Sequence, residues 1–369
     1  MGDQRQLPTE PSTVAPDFLT AALRNSGAIR ETNVIGVDHE IIGAGVGLLG
    51  QLARLTLHYD RTDLSAPRTV VGKFPAVAPE NREVCRQYGI YEREVGFYDD
   101  IADDVSLRTP LCYYSRYIPE SGDYLLLLED LSAGRIGDQL APCTIDEAAA
   151  AIIALGDFHA AWWEHPRLES LDWMAPADAP VWMGVAETVR AAWPNFLKNA
   201  GDRLPPKALQ AGEKLADAIP DLRRSFARQP MTVCHGDFRL DNVFFDVPGA
   251  RDGIAVIDWQ LVMRGRGAYD LAYFLTQSVD ADFRRKHQDR LIGEYIRALK
   301  DGGVTGYTAA DAIGDFRAVA LYFFVSPITW LSGDLDVSNE RGTALANAFL
   351  ERSLAALEDL EAWKLLGIS

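Results

Sequence analysis

The chain is predicted to be an α+β protein of two lobes, an antiparallel sheet lobe followed by a larger helical lobe, and three observations carry that expectation. From Val34 to Phe74 short apolar runs alternate with turn residues, as in LARLTLHYD and RTVVGKFP, the period-two pattern of antiparallel strands. From Thr144 the pattern turns helical, opening on the capping box TIDE and continuing through LGDFHAAWW, VAETVRAAW, KALQAGEKLADAI and DLRRSFARQ. A chain of 369 residues with 48% apolar content is also long enough to bury one large core or two.

Taken in order, residues 1–28 read as a polar lead-in ending in a short helix, DFLTAALRN, residues 29–134 as the sheet lobe and residues 135–369 as the helical lobe. Within IGAGVGLLG, Gly45, Gly47 and Gly50 fit GxGxxG. The alternation that follows them predicts a strand, so a glycine loop closing over phosphates between two strands fits better than a dinucleotide fingerprint, which needs a helix there. A ligand-free glycine hairpin is the plain alternative. Lys73, in the strand-like TVVGKFP, needs a partner for a buried ammonium, and nucleotide phosphates supply one. The segment NREVCRQYGIYEREVGFYDDIA reads as one helix with Tyr91, Val95 and Tyr98 roughly on one face. Glu94 beside them is the choice for the carboxylate that orients Lys73, with Glu92 and Glu83 as rivals. DYLLLLEDLSAG, from Asp123 to Gly134, reads as a strand breaking into a loop. Prolines at 194, 205, 206 and 220 are expected to separate the later helices. His159, among Leu155, Phe158 and Trp162, reads as a satisfied core histidine.

The chemistry concentrates between Val233 and Gln260, in VCHGDFRLDNVFFD and IAVIDWQ. Asp237 and Asn242 stand at the five-residue step of a phosphoryl-transfer loop, in which Asp accepts the proton of a substrate hydroxyl and Asn coordinates magnesium. Asp258 ends an apolar run that reads as a strand, the place for a second oxygen ligand. Magnesium prefers such hard oxygen donors in octahedral geometry. The competing reading is a β-hairpin whose turn, VPGARDG, carries solvated acids.

HGDFRLDN, VIDWQ and GRGAYDLAYFL together resemble the aminoglycoside phosphotransferase and choline kinase superfamily, and within it the ecdysteroid kinase-like branch, over roughly residues 30–350. The resemblance implies a bilobal protein-kinase-like fold with a nucleotide-binding N-lobe, ATP and Mg2+ as cofactors, and a small molecule with a hydroxyl as acceptor. It implies Asp237 as catalytic base and Arg239 beside the γ-phosphate, unless Arg239 is a surface arginine. His235 would prop the loop. Asp270 would brace it through backbone amides, or else cap a helix. Backbone groups near Glu129, Asp130 and Leu131 would meet the adenine edge, as in a kinase hinge. Trp162, Trp163, Trp182 and the stretch AVALYFFVSPITWLSGD would line an acceptor pocket or else form helical core; if several of these rings face the cleft, a hydrophobic alcohol, sterol-like or hydroxyacyl acceptor is expected. Asp280, Asp282, Asp334 and Asp336 leave an aminoglycoside or choline-like amine open. Only twelve residues separate Asp258 from Asp270 and no APE follows, so no protein substrate is expected. The alternative in another class is a catalytically inactive nucleotide-binding or scaffold protein on the same fold.

A net charge of −17 opposes nucleic-acid phosphate and anionic membranes. No uninterrupted apolar run approaches the roughly 20 residues of a membrane span. The opening MGDQRQLPTEPSTVAPD lacks a signal-peptide layout, and Gln6 spoils a myristoylation motif. Four scattered cysteines, Cys85, Cys112, Cys143 and Cys234, form no CxxC pair, so a reducing cytoplasm is expected.

Overall fold

In the computed structural model, which describes residues 7–43, 49–333 and 339–369, the chain folds as two units, Met1–Asp104 with Thr109–Gly134 and Val105–Arg108 with Arg135–Ser369. The first unit is built on five antiparallel strands, β1 (Val34–Ile42), β2 (Gly50–Tyr59), β3 (Thr69–Pro75), β4 (Cys112–Ile118) and β5 (Asp123–Glu129), in the order β1-β2-β3-β5-β4. Helix α1 (Pro16–Asn25) buries Leu19, Ala22 and Leu23 in the same core as Leu55, Val70 and Phe74. Leu7 and Val14 join them, so the lead-in is part of this unit's core and not a polar preface to it. Side chains alternate along β3: Val70, Gly72 and Phe74 are buried, whereas Val71 and Lys73 keep partial exposure on the opposite face.

The segment read as one helix is two, α2 (Pro79–Gln87) and α3 (Ile90–Asp100). Gly89 breaks it, with a left-handed backbone at φ 60° that a helix interior does not admit. The break frees α3 to set its own direction, with Tyr91, Glu94 and Tyr98 all buried.

The second unit is mostly helical: α4 (Ile145–Ala161), α5 (Pro180–Met183), α6 (Val185–Ala200), α7 (Pro206–Phe226), α8 (Ala268–Tyr273), α9 (Ala281–Asp301), α10 (Ala309–Tyr322), α11 (Val325–Leu331) and α12 (Glu340–Asp359). Thr144 and Glu147 form the reciprocal capping box that starts α4. Pro206 opens α7, as its fixed φ allows. Pro194 and Pro220, expected to end helices, lie inside α6 and α7. Each helix has an apolar stripe on both sides of its proline, Val189 and Phe196 in α6 and Leu215, Ile219 and Leu222 in α7, and burying it outweighs the lost backbone bond. The stretch Ala309–Leu331 is long and apolar enough to cross a membrane by composition alone; it is divided between α10 and α11, and 56% of its most apolar window is buried.

Short strands hold the loops between helices. β6 (Arg135–Ile136), β8 (Val243–Phe245) and β9 (Ala255–Val256) form one antiparallel sheet, and β7 (Thr232–Cys234) pairs with β10 (Met263–Gly265), Cys234 opposite Met263. The hairpin β8–β9 is real, with Asn242 immediately before it and Asp258 two residues after it.

Candidate active site

In the sheet unit, Lys73 projects from the partly exposed face of β3, and its Nζ lies 2.5 Å from Glu94 Oε1. Glu94 is 1% exposed and its second oxygen accepts the Tyr124 hydroxyl at 2.7 Å. A carboxylate so deeply buried needs both partners to stay charged. Of the rivals, Glu92 is exposed and Glu83 pairs with Arg86 on its own helix. Gly45 and Gly47 lie outside the described residues. Gly50 opens β2 opposite Pro75, so the chain leaves the glycines as a strand. Glu129 spends its N–H on the Leu111 carbonyl, whereas the Leu131 N–H has no backbone partner among the described residues.

In the helical unit, β7 delivers the chain into the segment His235 to Asn242. The Asp270 carboxylate, fully buried, accepts the backbone N–H groups of His235 at 2.6 Å and Gly236 at 2.9 Å, which resolves it as a brace on the loop and not a helix cap. Gly236 sits at φ 83°, where a Cβ would come within 2.2 Å of the Leu261 carbonyl oxygen, so no other residue fits. The His235 ring bridges the Ile257 carbonyl at 2.9 Å and the Asp237 N–H at 3.2 Å, a prop between loop and hairpin. Leu240 N–H is held by the Ser278 hydroxyl, in a π-helical turn after α8.

These contacts leave Asp237 at the loop's tip with 8% exposure. Asn242 Nδ2 donates to Asp237 Oδ2 at 3.0 Å and to the Asp237 main-chain carbonyl at 2.9 Å, and Arg239 Nε donates to Asp237 Oδ2 at 3.1 Å. Arg239 is no surface residue. Burial works against its charge, but Asp237, Tyr273, Asp241 and Asp258 outweigh it and raise its pKa further. Arg239 Nη1 also reaches Gln139 Oε1 at 3.2 Å. Because Asn242 donates through Nδ2, its Oδ1 is the atom left to coordinate. Asn242 is tied to the residue before Asp258, through the Ile257 N–H on the Asn242 carbonyl at 3.0 Å. Asp258 itself takes a left-handed backbone, φ 69°, uncommon for a residue with a side chain. An amide oxygen and a carboxylate on one hairpin form a donor set that fits magnesium.

A second group of ligand types converges among the described residues: His159, Cys234 and Asp270, all buried and within 4.8 Å of one another. It is structural. His159 spends one ring nitrogen on the Tyr295 hydroxyl at 2.8 Å and the other on Asp270 at 3.2 Å, as a satisfied core histidine should. Burial pushes the Cys234 thiol well above its ordinary pKa, which makes it a poor nucleophile.

The expected acceptor residues divide: Trp182, Tyr322 and Phe323 neighbour one another around Arg223 and Tyr269, whereas Trp162 and Trp163 have other partners. Trp162 is buried against His165, while Trp163 stacks beside Tyr307 on a groove of about 630 Å³ that also holds Glu164 and Gly303. Asp280 caps α9, Asp282 pairs with Arg285, and Asp334 and Asp336 lie outside the described residues. The group near Asp237 that motif spacing did not reveal is the buried Tyr273 phenol, which feels the charge of that carboxylate. Burial, then that carboxylate, raises its pKa well above the ordinary value, so it stays a donor. GRGAYDLAYFL held the signal: Tyr273 follows Asp270 by three residues, on the same side of a helix.

The family match, on this fold, defines the class, a kinase-like small-molecule phosphotransferase. The chain belongs to the ecdysteroid kinase-like family, whose sequence model matches residues 45–303. Three solved structures show the same fold. A candidate aminoglycoside phosphotransferase of Ralstonia eutropha is similar at TM-score 0.55 and 18% identity, covering 94% of this chain and 97% of its own. An ethanolamine kinase of Plasmodium vivax gives 0.52 and 12%, covering 87% and 81%. A choline kinase of Cryptosporidium parvum gives 0.52 and 10%, covering 95% and 98%. No curated protein sequence matches this chain.

Proposed function

We propose that this protein transfers the γ-phosphoryl group of ATP to a hydroxyl of a small, largely apolar molecule, with magnesium held by Asn242 and Asp258. The observation that carries the reading is the environment of Asp237: a carboxylate at the tip of a braced loop, oriented by Asn242 and Arg239, with enough exposure to meet a substrate. Asp237 accepts the acceptor's proton as its oxygen approaches phosphorus. Arg239 stabilises charge that develops on the transferred group. Magnesium, when bound, neutralises phosphate charge and orients the oxygens for in-line attack. Lys73, fixed by Glu94, binds phosphate oxygens, and Gly45, Gly47 and Gly50 of the GxGxxG sequence serve nucleotide binding. The Glu129 carbonyl and the Leu131 N–H meet the base edge. The four cysteines are free, which suits a cytoplasmic protein.

The test is ATP consumption by the purified protein, with and without magnesium, against steroids, hydroxyacyl compounds, choline and aminoglycosides, alongside Asp237→Asn. Transfer to an apolar alcohol that disappears in the variant supports the reading. Nucleotide binding without turnover on any acceptor would instead mark a binding protein on this fold.

A further inference from the structure

Arg223, on α7, is an anomaly of the helical unit. Its guanidinium is 1% exposed, yet no carboxylate lies within ion-pair distance among the described residues. Its Nη2 meets the Met263 sulfur at 3.7 Å, and its Nε has no hydrogen-bond partner among the described residues. Three rings surround it, Trp182 at 5.0 Å, Tyr322 at 5.2 Å and Tyr269 at 5.8 Å. Cation–π contacts return only part of the hydration such a charge gives up. What the site lacks is an anion.

A second observation says where the anion belongs. Trp182, Tyr269, Tyr273, Tyr322 and Phe323 each keep 5–8% exposure, whereas rings of the same unit's interior, such as Phe158, Phe196 and Tyr295, keep none. The five form a continuous strip. Tyr273, within electrostatic reach of Asp237, stands at one end, Phe323 packs on Tyr273 at 4.4 Å and on Tyr269 at 5.1 Å, and Tyr269, Tyr322 and Trp182 surround Arg223 at the other. Tyr269 and Tyr273 alone set the two ends at least one helical turn apart, about 5–6 Å.

We propose that Arg223 recognises an anionic group on the acceptor, which makes the acceptor a hydroxyl-bearing apolar anion: hydroxyl at Asp237, apolar body along the rings, and a carboxylate or similar anion at Arg223. The inference rests on the phosphotransferase reading for the hydroxyl's role, but not for binding. An anion at Arg223 gains a charge-assisted hydrogen bond in a dry setting and supplies the counter-charge the guanidinium lacks. A neutral alcohol of the same shape gains neither.

The experiment measures binding without nucleotide, by calorimetry and by Trp182 fluorescence, for omega-hydroxylaurate and its methyl ester. The acid should bind the wild-type protein about 10- to 100-fold more tightly than the ester. Arg223→Met, an apolar replacement of similar length, should bind the two alike, and Arg223→Lys should keep part of the preference. Equal binding of acid and ester by the wild type overturns the proposal without recourse to any variant, as does discrimination that survives in Arg223→Met. Acid-selective binding with no phosphoryl transfer to any acceptor would sink the proposed function and leave this inference standing. Transfer to neutral alcohols with no acid preference would do the reverse.

Discussion

The sheet unit and the helical unit fix their polar groups in opposite ways. In the first, Lys73 pairs with the buried Glu94 carboxylate, which also accepts the Tyr124 hydroxyl, so side-chain contacts hold it. In the second, the loop bearing Asp237 is shaped mainly through its backbone: Asp270 takes two N–H groups, His235 spans loop and hairpin, and Ser278 takes a third N–H. The difference teaches that one charge can be positioned through a side-chain pair, whereas another, Asp237, is carried on a braced main chain, the arrangement the proposed base would need.

That contrast can be broken at several points. Asp237→Asn keeps the loop's shape and removes its chemistry, so turnover should fall by about 10²–10⁴-fold while nucleotide binding persists, as read by steady-state kinetics beside calorimetry. Lys73→Met strands Glu94, and the unfolding free energy should drop by about 3 kcal/mol, the low end for a broken buried pair because Tyr124 still donates. Adding Glu94→Gln should recover much of that loss in denaturant titrations; a strictly additive double variant would mean the two residues are not coupled. Asp270→Asn keeps one acceptor but turns an amide toward the other N–H, a cost of about 2–3 kcal/mol together with slower turnover that added nucleotide does not rescue.

Acid titration sharpens the comparison within the sheet unit. Burial alone would raise the Asp130 carboxyl, but Arg54, 2.7 Å away, together with hydrogen bonds from Ser132 and Thr69 outweighs it and holds it below its ordinary value. With the folded pKa depressed, the stabilisation is in place above the unfolded value of about 3.9 and is lost as pH falls through the folded one. Melting temperature should therefore decline below about pH 4, and less steeply in Asp130→Asn. The smallest effect is expected at the start of α4, where Thr144→Ala removes half of a capping box at about 1 kcal/mol.

Much of the helical unit's chemistry was legible because it is local. Asp237, Asn242 and Asp258 lie within twenty-two residues, and the turn VPGARDG, read as the rival explanation, proves to be the hairpin that carries Asn242 and Asp258. Lys73 and Glu94 were legible as a spacing, but the helix carrying Glu94 was not, since Gly89 splits a stretch whose apolar period looks continuous. Pro194 and Pro220 misled for the converse reason, a local rule overridden by stripes that bury on both sides. Gln139 and Arg223 gave no signal at all. Each sits in an ordinary helical or loop sequence, and its significance arises from partners far along the chain, Gln139 from Arg239 and Arg223 from Tyr269 and Tyr322.

The hairpin joining Asn242 to Asp258 has a practical corollary. Its rungs, Val243 with Val256 and Phe244 with Ala255, lock the stem, whereas Gly249 at the bend has nothing within 4 Å of where a side chain would begin. Length added there would bulge into solvent without altering the stem's register. The bend is accordingly a grafting point at which a fluorophore-bearing peptide could report on occupancy of the neighbouring oxygens from outside the working surface.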